Sequence, residues 1–199
     1  MDCYSLTLKY YIIVQHVLIN SIDLTSMSLY MSSQSSVLLE YISRSQPDVL
    51  PLLNEAPYQS SYDPNEDVNI TKTDWYNGKD GDRPWVQYFL PHLTDHLHKH
   101  LHPFSDFLIQ DIWFQQYSNG SEHGWHTHSH NFTGVYYVQL PPDSQTQIID
   151  PFTKECKNLP IKQGDVVVFP STVIHRAPPS NDKTIISFNF DAFYHFKKE

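Results

Sequence analysis

The chain has 199 residues, 40% of them hydrophobic, which is enough for one packed core but short for two domains. Its formal net charge of −9 lacks the basic excess of nucleic-acid-binding proteins, so no nucleic-acid partner is expected. Two cysteines, Cys3 and Cys156, are too few for a disulfide framework and indicate free thiols in a reducing compartment.

The first part of the chain carries weak signals. The apolar stretch 10–22 is shorter than the roughly 18 residues that a membrane span needs, and Gln15, His16 and Asn20 interrupt it. One basic residue, Lys9, precedes it instead of the basic cluster of a signal peptide. We interpret this stretch as a strand or a leader and expect a cytoplasmic protein with no membrane partner.

The next segments predict short elements and one longer helix. Residues 37–42 predict a short helix, whereas 47–82 are rich in Pro, Asn, Asp, Gly and Ser and indicate mostly loop. Within that loop, 69–75 predict a short strand. Residues 85–101 have apolar side chains at helical spacing and predict a helix that Pro91 kinks or restarts.

Five histidines stand in or just after this helix, at positions 92, 96, 98, 100 and 102. His92 and His96 have the i, i+4 spacing of helical metal ligands, but the glutamate that follows the first histidine in such motifs is missing. The other three are scattered around the helix. We therefore interpret the group as a polar face and not as a metal site.

After residue 103 the pattern changes to strands of moderate length separated by turn residues. Strands are predicted over 107–117, 133–140, 146–150, 164–169 and 183–194. This spacing predicts an antiparallel jelly roll over 105–195, with residues 1–104 as an N-terminal extension with supporting helices in the same domain. The predicted fold class is mainly β with flanking α.

Two histidine sites in this region predict a metal centre. His126 and His128 stand two residues apart, so on a strand their imidazoles would share one face. His175 follows the buried run GDVVVFP some 40 residues later. Two ligands from one strand and one from another leave coordination positions open for water, substrate or O₂. Imidazole suits iron, zinc, copper and nickel, so ligand type alone does not select the metal.

Other side chains compete for these roles. His130 shares the predicted strand face of His128, so a pair formed by these two residues is geometrically possible. His123 and Glu122 also stand close in sequence and are weaker candidates.

A series of motifs between residues 111 and 191 resembles the Fe(II)- and 2-oxoglutarate-dependent oxygenases. The closest resemblance is to the prolyl-hydroxylase-like branch and, within it, to a bacterial and phage subgroup with a His-x-His motif. The motifs, in chain order, are Tyr117-Ser-Asn-Gly, His126-Thr-His128, Gly134-Val-Tyr-Tyr, Asp150-Pro, Gly164-Asp-Val-Val-Val-Phe-Pro, Ile174-His175 and Lys183 to Asn189.

The resemblance implies a double-stranded β-helix of the cupin-like type, with iron on a facial triad and 2-oxoglutarate chelating the metal. His126 and His175 match the two histidine positions of the triad, and His128 stands where most members have Asp or Glu. Lys183 stands at the position of a basic residue, usually Arg, that binds the far carboxylate of 2-oxoglutarate. A lysine neutralises a carboxylate but lacks the bidentate fork of arginine.

The residues around Lys183 agree with such a co-substrate. Lys183, Ser187 and Asn189 alternate on one strand face, where a cation, a hydroxyl and an amide would suit a dicarboxylate. By the resemblance, Tyr137 is the tyrosine of the Tyr136-Tyr137 pair that enters the pocket, with Tyr117 as a second phenol.

The activity implied is hydroxylation of an unidentified substrate, a peptidyl side chain being one candidate, with O₂ consumed and 2-oxoglutarate decarboxylated to succinate. Ascorbate is a candidate reductant for the iron. Two alternatives stay open: a three-histidine, cupin-like dioxygenase without 2-oxoglutarate, and a metal-stabilised binding or structural module without catalysis.

Overall fold

The structure, a computed structural model, describes residues 49–77, 82–101, 104, 106–150 and 153–193. Within these ranges the chain forms a ten-stranded antiparallel sheet with helices packed against it. The predicted mainly β fold with flanking helices is confirmed. The predictions for 10–22 and 37–42 lie outside the described residues. Among the described helices, none is long and apolar enough to cross a membrane.

The segment before the long helix contains more regular structure than its composition suggests. Helical backbone covers 49–55 (α1), followed by β1 (Gln59–Asp63), β2 (Val68–Thr73) and a 3-10 turn at Trp75–Asn77. The prediction of mostly loop was wrong for α1 and β1, and the short strand expected over 69–75 corresponds to β2. Proline and polar residues conceal the i, i+4 spacing of Val49 and Leu53, both buried in α1.

The helix predicted over 85–101 is confirmed as α2 (Pro84–His100). Pro84 occupies the first turn, where a missing N–H leaves no intrahelical hydrogen bond unmade. The helix continues through Pro91, and one side buries Trp85, Val86, Phe89, Leu93, His96 and Leu97.

Eight strands follow α2 along the chain. They are β3 (Asp106–Tyr117), β4 (Ser121–His126), β5 (Phe132–Gln139), β6 (Gln147–Ile149), β7 (Cys156–Asn158), β8 (Val166–Pro170), β9 (His175–Ser180) and β10 (Lys183–Phe193). The predicted strands correspond to β3, β5, β6, β8 and β10, whereas β4, β7 and β9 were missed. Residue 194, the last of the final predicted strand, lies outside the described residues.

The strand order is β7-β6-β9-β4-β2-β3-β10-β5-β8, with β1 paired to the other edge of β2. β2 therefore lies between β3 and β4 and closes the sheet between them. A segment from the N-terminal part of the chain thus completes the sheet that the later strands build.

The two faces of β10 have different surroundings. Ile186, Phe188 and Phe190 pack with α2 in one buried apolar cluster. Ile185 belongs to a second cluster on the opposite face, together with Tyr117 and Tyr137. Because residues alternate along a strand, one face of β10 packs against α2 and the opposite face borders the pocket described below.

Candidate metal centre

Three imidazoles converge at one end of the sheet. His126 ends β4 and His175 begins β9, and the two residues are direct partners in the antiparallel pair. His128 lies in the turn after β4, not on the strand as predicted, and its backbone N–H donates to the carbonyl of Ser171. One nitrogen from each imidazole lies within 4.8 Å of the other two, so the three could hold a single cation.

Two of the imidazoles are oriented by backbone carbonyls. His126 Nδ1 lies 2.7 Å from the carbonyl oxygen of Gly124, and His175 Nδ1 lies 2.9 Å from that of Val173. Because a carbonyl oxygen only accepts, each Nδ1 carries the hydrogen and each Nε2 keeps its lone pair for a metal. Metal-binding histidines are commonly fixed in this manner.

Burial keeps these imidazoles neutral. Desolvation is the main cause that lowers the pKa of His128 to about 4 and that of His175 to about 2, and it lowers the pKa of His126 as well. Near neutral pH all three therefore present lone pairs, and no proton must leave before a metal binds.

The competing candidates lie outside the three-nitrogen group. His123 stacks on His126 with ring centroids 3.8 Å apart, and its Nδ1 lies 3.4 Å from Gln115 Nε2. His130 lies between the carboxylates of Asp111 and Asp191. Among the described residues, which include four of the five histidines of the helical group, no other set of His, Cys, Asp or Glu gathers three close ligand atoms.

A small pocket, partly open to solvent, lies beside the imidazoles. Its walls include Trp113, Gln115 and Tyr117 from β3 and Ile185 and Ser187 from β10. Trp113 pairs with Ser187, and Tyr117 pairs with Lys183 four residues further along. The pocket therefore has a histidine end, beside Trp113, and a lysine end, beside Tyr117.

Lys183 is a fully buried cation at the lysine end. Its Nζ donates to the carbonyl oxygen of Ser144 at 2.9 Å and lies 5.4 Å and 6.0 Å from the ring centres of Tyr117 and Tyr137. No carboxylate of the described residues pairs with it, and burial lowers its pKa to about 7. A buried amine without an anion favours an anionic ligand at this place.

The two predicted tyrosines lie at this end. Tyr137 Oη shares a 2.7 Å hydrogen bond with Thr146 Oγ1, whereas Tyr117 Oη is buried without a partner among the described residues. Burial raises the pKa of both phenols, so both remain donors near neutral pH. Tyr136 packs against Phe89 of α2, on the opposite face, as predicted.

The other predicted co-substrate residues differ in position. Ser187 lines the pocket and donates to Gln115 Oε1 at 3.2 Å. Asn189 lies beyond the histidine end, where its Nδ2 donates to Asp111 Oδ2 at 3.4 Å. The structure thus places Tyr117 and Ser187 in the lining of one pocket. Lys183 pairs with Tyr117 beside this pocket, but Lys183, Tyr137 and Asn189 lie outside its lining.

Sequence reasoning missed an aromatic wall next to the metal centre. The Trp113 ring lies 5.8 Å from that of His128, and its buried Nε1 has no partner among the described residues. Trp75 stacks on Trp113 at 5.9 Å, and Tyr76 stacks on Trp75 at 6.2 Å. Strand alternation places Trp113 on the same face as Tyr117, which is the signal that could have identified it.

The donor set fits iron and a dicarboxylate. Three neutral imidazoles are suitable ligands for Fe(II) and leave positions open. The Tyr117 hydroxyl and the Lys183 ammonium, which have no hydrogen-bond partner and no carboxylate partner, respectively, in the described part of the chain, supply a donor and a charge for a carboxylate at the other end.

A family model and several solved structures are similar to this chain. The family model described as "Putative 2OG-Fe(II) oxygenase" matches residues 111–191. The solved structure of an oxidoreductase of the 2OG-Fe(II) oxygenase family from Burkholderia pseudomallei is similar, with a TM-score of 0.56 and 13% identity over 70% of this chain and 75% of that one. A search of curated proteins found no match.

Two prolyl hydroxylases have comparable similarity. The Trichoplax adhaerens enzyme, solved with a peptide fragment of the hypoxia inducible factor oxygen degradation domain, has a TM-score of 0.52 and 14% identity over 96% of this chain and 94% of that one. A Pseudomonas putida prolyl-4-hydroxylase has a TM-score of 0.50 and 15% identity over 79% and 87%.

At these identities the solved structures establish the fold, which is the predicted double-stranded β-helix. The narrower His-x-His subgroup stays a prediction. The shared fold and the family-model match over 111–191 together confirm the predicted resemblance to the 2OG-Fe(II) oxygenase superfamily.

Proposed function

We propose that the chain is an Fe(II)- and 2-oxoglutarate-dependent dioxygenase that hydroxylates a primary substrate, with O₂ as second co-substrate and succinate as co-product. One observation supports this proposal. Three imidazole nitrogens within 4.8 Å of one another adjoin a pocket, and beyond Tyr117 at its other end lies buried Lys183, with which no carboxylate of the described residues pairs.

His126, His128 and His175 would hold the iron, the first and last through Nε2. Bound Fe(II) would supply the activation of O₂ at its open positions, which is chemistry that protein side chains lack. Three neutral ligands leave one more positive charge on the centre than two histidines and a carboxylate would. That charge favours an anionic co-substrate beside the histidines.

Lys183 and Tyr117 would bind the far carboxylate of 2-oxoglutarate. The ammonium supplies a charge-assisted hydrogen bond, and the orphaned phenol supplies a second donor. Tyr137 fixes the position of Thr146 and borders Lys183 from the other side. Ser187 lines the pocket at the histidine end, beside Trp113, where its hydroxyl can contact the bound molecule. The buried position of Lys183 excludes water, so the ion pair is stronger there than it would be in solvent.

The primary substrate would approach along the aromatic wall, since Trp113 and Trp75 extend from the histidine end to the surface. The flat faces of these rings suit an apolar or ring-shaped group. A peptidyl side chain remains the candidate substrate, supported by the similarity to prolyl hydroxylases, one of them solved with a peptide.

The decisive experiment loads the protein with Fe(II), ascorbate and 2-oxoglutarate without O₂, then admits O₂ and measures succinate. We expect succinate even without primary substrate, because uncoupled turnover needs only the iron and co-substrate sites. Lys183→Ala should raise the KM for 2-oxoglutarate by at least about tenfold, since it removes the charge that pairs with a buried carboxylate.

Lys157→Ala is the matched control, because Lys157 is a half-exposed lysine on β7 that pairs with Asp150. It should leave the KM unchanged. Absence of succinate from metal-replete protein would contradict the proposal.

A second candidate is a dioxygenase that binds iron through the three histidines but does not use 2-oxoglutarate. It is favoured by His128 at a position where most superfamily members have a carboxylate. Calorimetric titration with 2-oxoglutarate separates the two, because only the first candidate predicts binding that Lys183→Ala weakens. A metal-dependent rise in Tm without turnover would instead indicate a non-catalytic module.

A further inference from the structure

His128 differs from the other two imidazoles in how it is held. His126 and His175 each donate from Nδ1 to a backbone carbonyl two residues earlier in the chain. No such acceptor contacts the His128 ring among the described residues, where its polar contact is with His175 Nε2 at 3.2 Å. The position of His128 therefore depends on the turn that carries it, residues 127–131.

One side of this turn is attached to the end of β8. The backbone N–H of His128 donates to the carbonyl of Ser171 at 3.0 Å, and the N–H of Ser171 donates to the carbonyl of Asn131 at 3.1 Å. These two hydrogen bonds fix the height of the turn over the sheet. They do not involve the two central side chains of the turn, those of Ser129 and His130.

The other side of the turn is attached to two carboxylates on neighbouring strands. His130 Nε2 lies 3.5 Å from Asp111 Oδ2 on β3, and its Nδ1 lies 3.4 Å from Asp191 Oδ2 on β10. The N–H of Asn131 donates to Asp191 Oδ1 at 3.1 Å. His130 thus joins both carboxylates through the two nitrogens of one ring.

The carboxylates are themselves oriented by amides. Asn189 Nδ2 donates to Asp111 Oδ2, and Gln110 Nε2 donates to Asp191 Oδ2 at 2.9 Å. His130 has a φ of +69°, a left-handed conformation that is uncommon for residues other than glycine, although Asn, Asp and His adopt it more often than most. The contacts with Asp111 and Asp191 stabilise this conformation two residues after the candidate ligand.

We propose that Asp111, Asp191 and His130 form an anchor that positions His128 for metal binding, and that His130 is not itself a ligand. The inference rests on the metal-binding part of the proposed function. The anchor residues are positioning residues, because they act through the backbone of residues 127–131 and do not contact the metal position.

Because the anchor residues are partly exposed, their effect on metal binding can be distinguished from an effect on global stability. The side chains of His130, Asp111 and Asp191 are 26%, 32% and 21% exposed. Contacts between side chains of this exposure contribute little to global stability, about 0–1 kcal/mol even where both groups are charged. Changes in the anchor should therefore alter metal affinity more than they alter the Tm of the metal-free protein.

The experiment titrates metal-free protein with Co(II) and follows the d–d absorption bands, whose intensity and position report the ligand geometry. The variants are His130→Asn, Asp111→Asn and Asp191→Asn, and asparagine at 130 tolerates the left-handed backbone. We expect each variant to weaken Co(II) binding by about tenfold, as substitutions of residues that orient metal ligands commonly do. The absorption bands should change, and the Tm of the metal-free protein should stay nearly the same.

His130→Asn also separates anchoring from simple charge. The two aspartate variants each remove a negative charge near a cation, which would weaken metal binding by itself. His130→Asn removes no negative charge, so weaker Co(II) binding in this variant would indicate that His128 is no longer held in place. When it is combined with His130→Asn, Asp111→Asn should weaken Co(II) binding little further, because both changes break the same contact.

Asp95→Asn is the control, since Asp95 forms an exposed ion pair with Lys99 on α2. It should bind Co(II) as the wild type does. Unchanged affinity in all three anchor variants would overturn the inference. Loss of binding in His130→Asn alone, with both aspartate variants unaffected, would overturn it by making His130 a ligand. Failure of the unaltered protein to bind Co(II) would instead refute the metal-binding part of the proposed function.

Discussion

At the scale of single residues, burial without a protein partner distinguishes the candidate site from the rest of the sheet. The imidazoles of His126 and His175 have one nitrogen fixed and the other free. Among the described residues, Lys183 Nζ has a backbone carbonyl but no carboxylate as a partner, and the Tyr117 hydroxyl has no hydrogen-bond partner. Each of these groups is costly to bury unless a ligand completes its interactions.

The first prediction concerns the metal ligands. His175→Ala should weaken Co(II) or Fe(II) binding by at least about 100-fold, because it removes a ligand that a backbone carbonyl has already oriented. The measurement is a competitive metal titration of the purified variant. His123→Ala is the control, since His123 stacks on His126 but offers no nitrogen to the group, and it should change the affinity much less. Equal losses in both variants would contradict the three-histidine site.

The second prediction concerns pH and Lys183. Burial lowers the pKa of the Lys183 ammonium to about 7 in the free protein, and a bound dicarboxylate would favour the protonated form and raise that pKa again. Binding of 2-oxoglutarate should therefore be strongest below pH 7 and weaken as the pH rises through 7, by up to about tenfold per pH unit.

Calorimetry in two buffers with different ionisation heats, with Co(II) present, should detect proton uptake on binding at pH 8. Lys183→Met keeps the chain length but removes the titrating group, so its weaker binding should be independent of pH over this range. A wild-type affinity that rises between pH 7 and 8.5 would contradict the assignment of Lys183.

The site was predictable from sequence where a local motif carried it, and not elsewhere. His126, His128 and His175 were predicted from their spacing on predicted strands, and the role of Lys183 was predicted from its match to a family position. The anchoring role of His130 was not, because it depends on Asp111 and Asp191, which are distant in sequence and meet only in the folded sheet.

At the scale of elements, a buried ion pair joins three segments next to the aromatic wall. Asp74, just after β2, accepts from Arg83 Nη1 at 2.7 Å and from Trp85 Nε1 at 2.9 Å. Its other oxygen accepts from the N–H of Phe114 on β3 at 2.9 Å. Asp74 thus joins the end of β2, the start of α2 and the strand that carries Trp113.

The third prediction concerns this ion pair. Asp74→Ala should lower the free energy of unfolding by about 3–5 kcal/mol, because it leaves the buried Arg83 without its carboxylate. Denaturant unfolding of the metal-free protein measures the effect. Asp95→Asn, which breaks the exposed pair on α2, should cost about 1 kcal/mol or less. A similarly small effect of Asp74→Ala would show that the interaction does not hold these segments together.

Two of the three missed strands, β9 and β4, lack the apolar periodicity of a core strand, each for its own reason. β9 contains Pro178 and Pro179, which lack the N–H that a central strand normally donates. The pairing of β9 with β4 shifts register between His123 and Ser121, so the sheet accommodates the prolines at an irregular place. β4 carries few apolar residues, because its side chains face the candidate site or solvent. Periodicity predicts only strands whose side chains build a core.

At the scale of the whole molecule, the apolar packing against α2 and the candidate site lie on opposite faces of the sheet. The cluster formed with α2 is apolar and packs one face of β10. The opposite face carries the imidazoles, phenols and amine of the candidate site, together with a smaller apolar cluster. The cost of burying the polar groups of the candidate site falls on that face, and together with buried His96 on α2 it should appear in the pH dependence of global stability.

The fourth prediction follows from several buried neutral histidines. Burial lowers the pKa of His96 and His128 to about 4, of His123 to about 3 and of His175 to about 2, against about 6.5 in an unfolded chain. Below pH 6.5 these histidines therefore bind protons in the unfolded chain but stay unprotonated in the folded protein. Stability should fall as pH decreases from 6.5, by up to about 1.4 kcal/mol per pH unit for each such histidine.

The measurement compares the Tm of metal-free protein at pH 7.5 and pH 5.5. The fall should occur although the formal net charge of −9 becomes less negative on acidification, a change that by itself would reduce self-repulsion. Saturating Co(II) should diminish the fall, because a bound metal holds the ligands unprotonated in the folded state. Replacing His128 and His175 by glutamine should also reduce the slope, since glutamine binds no proton. A metal-free Tm that stays constant or rises between pH 7.5 and 5.5 would contradict the buried, neutral state of these imidazoles.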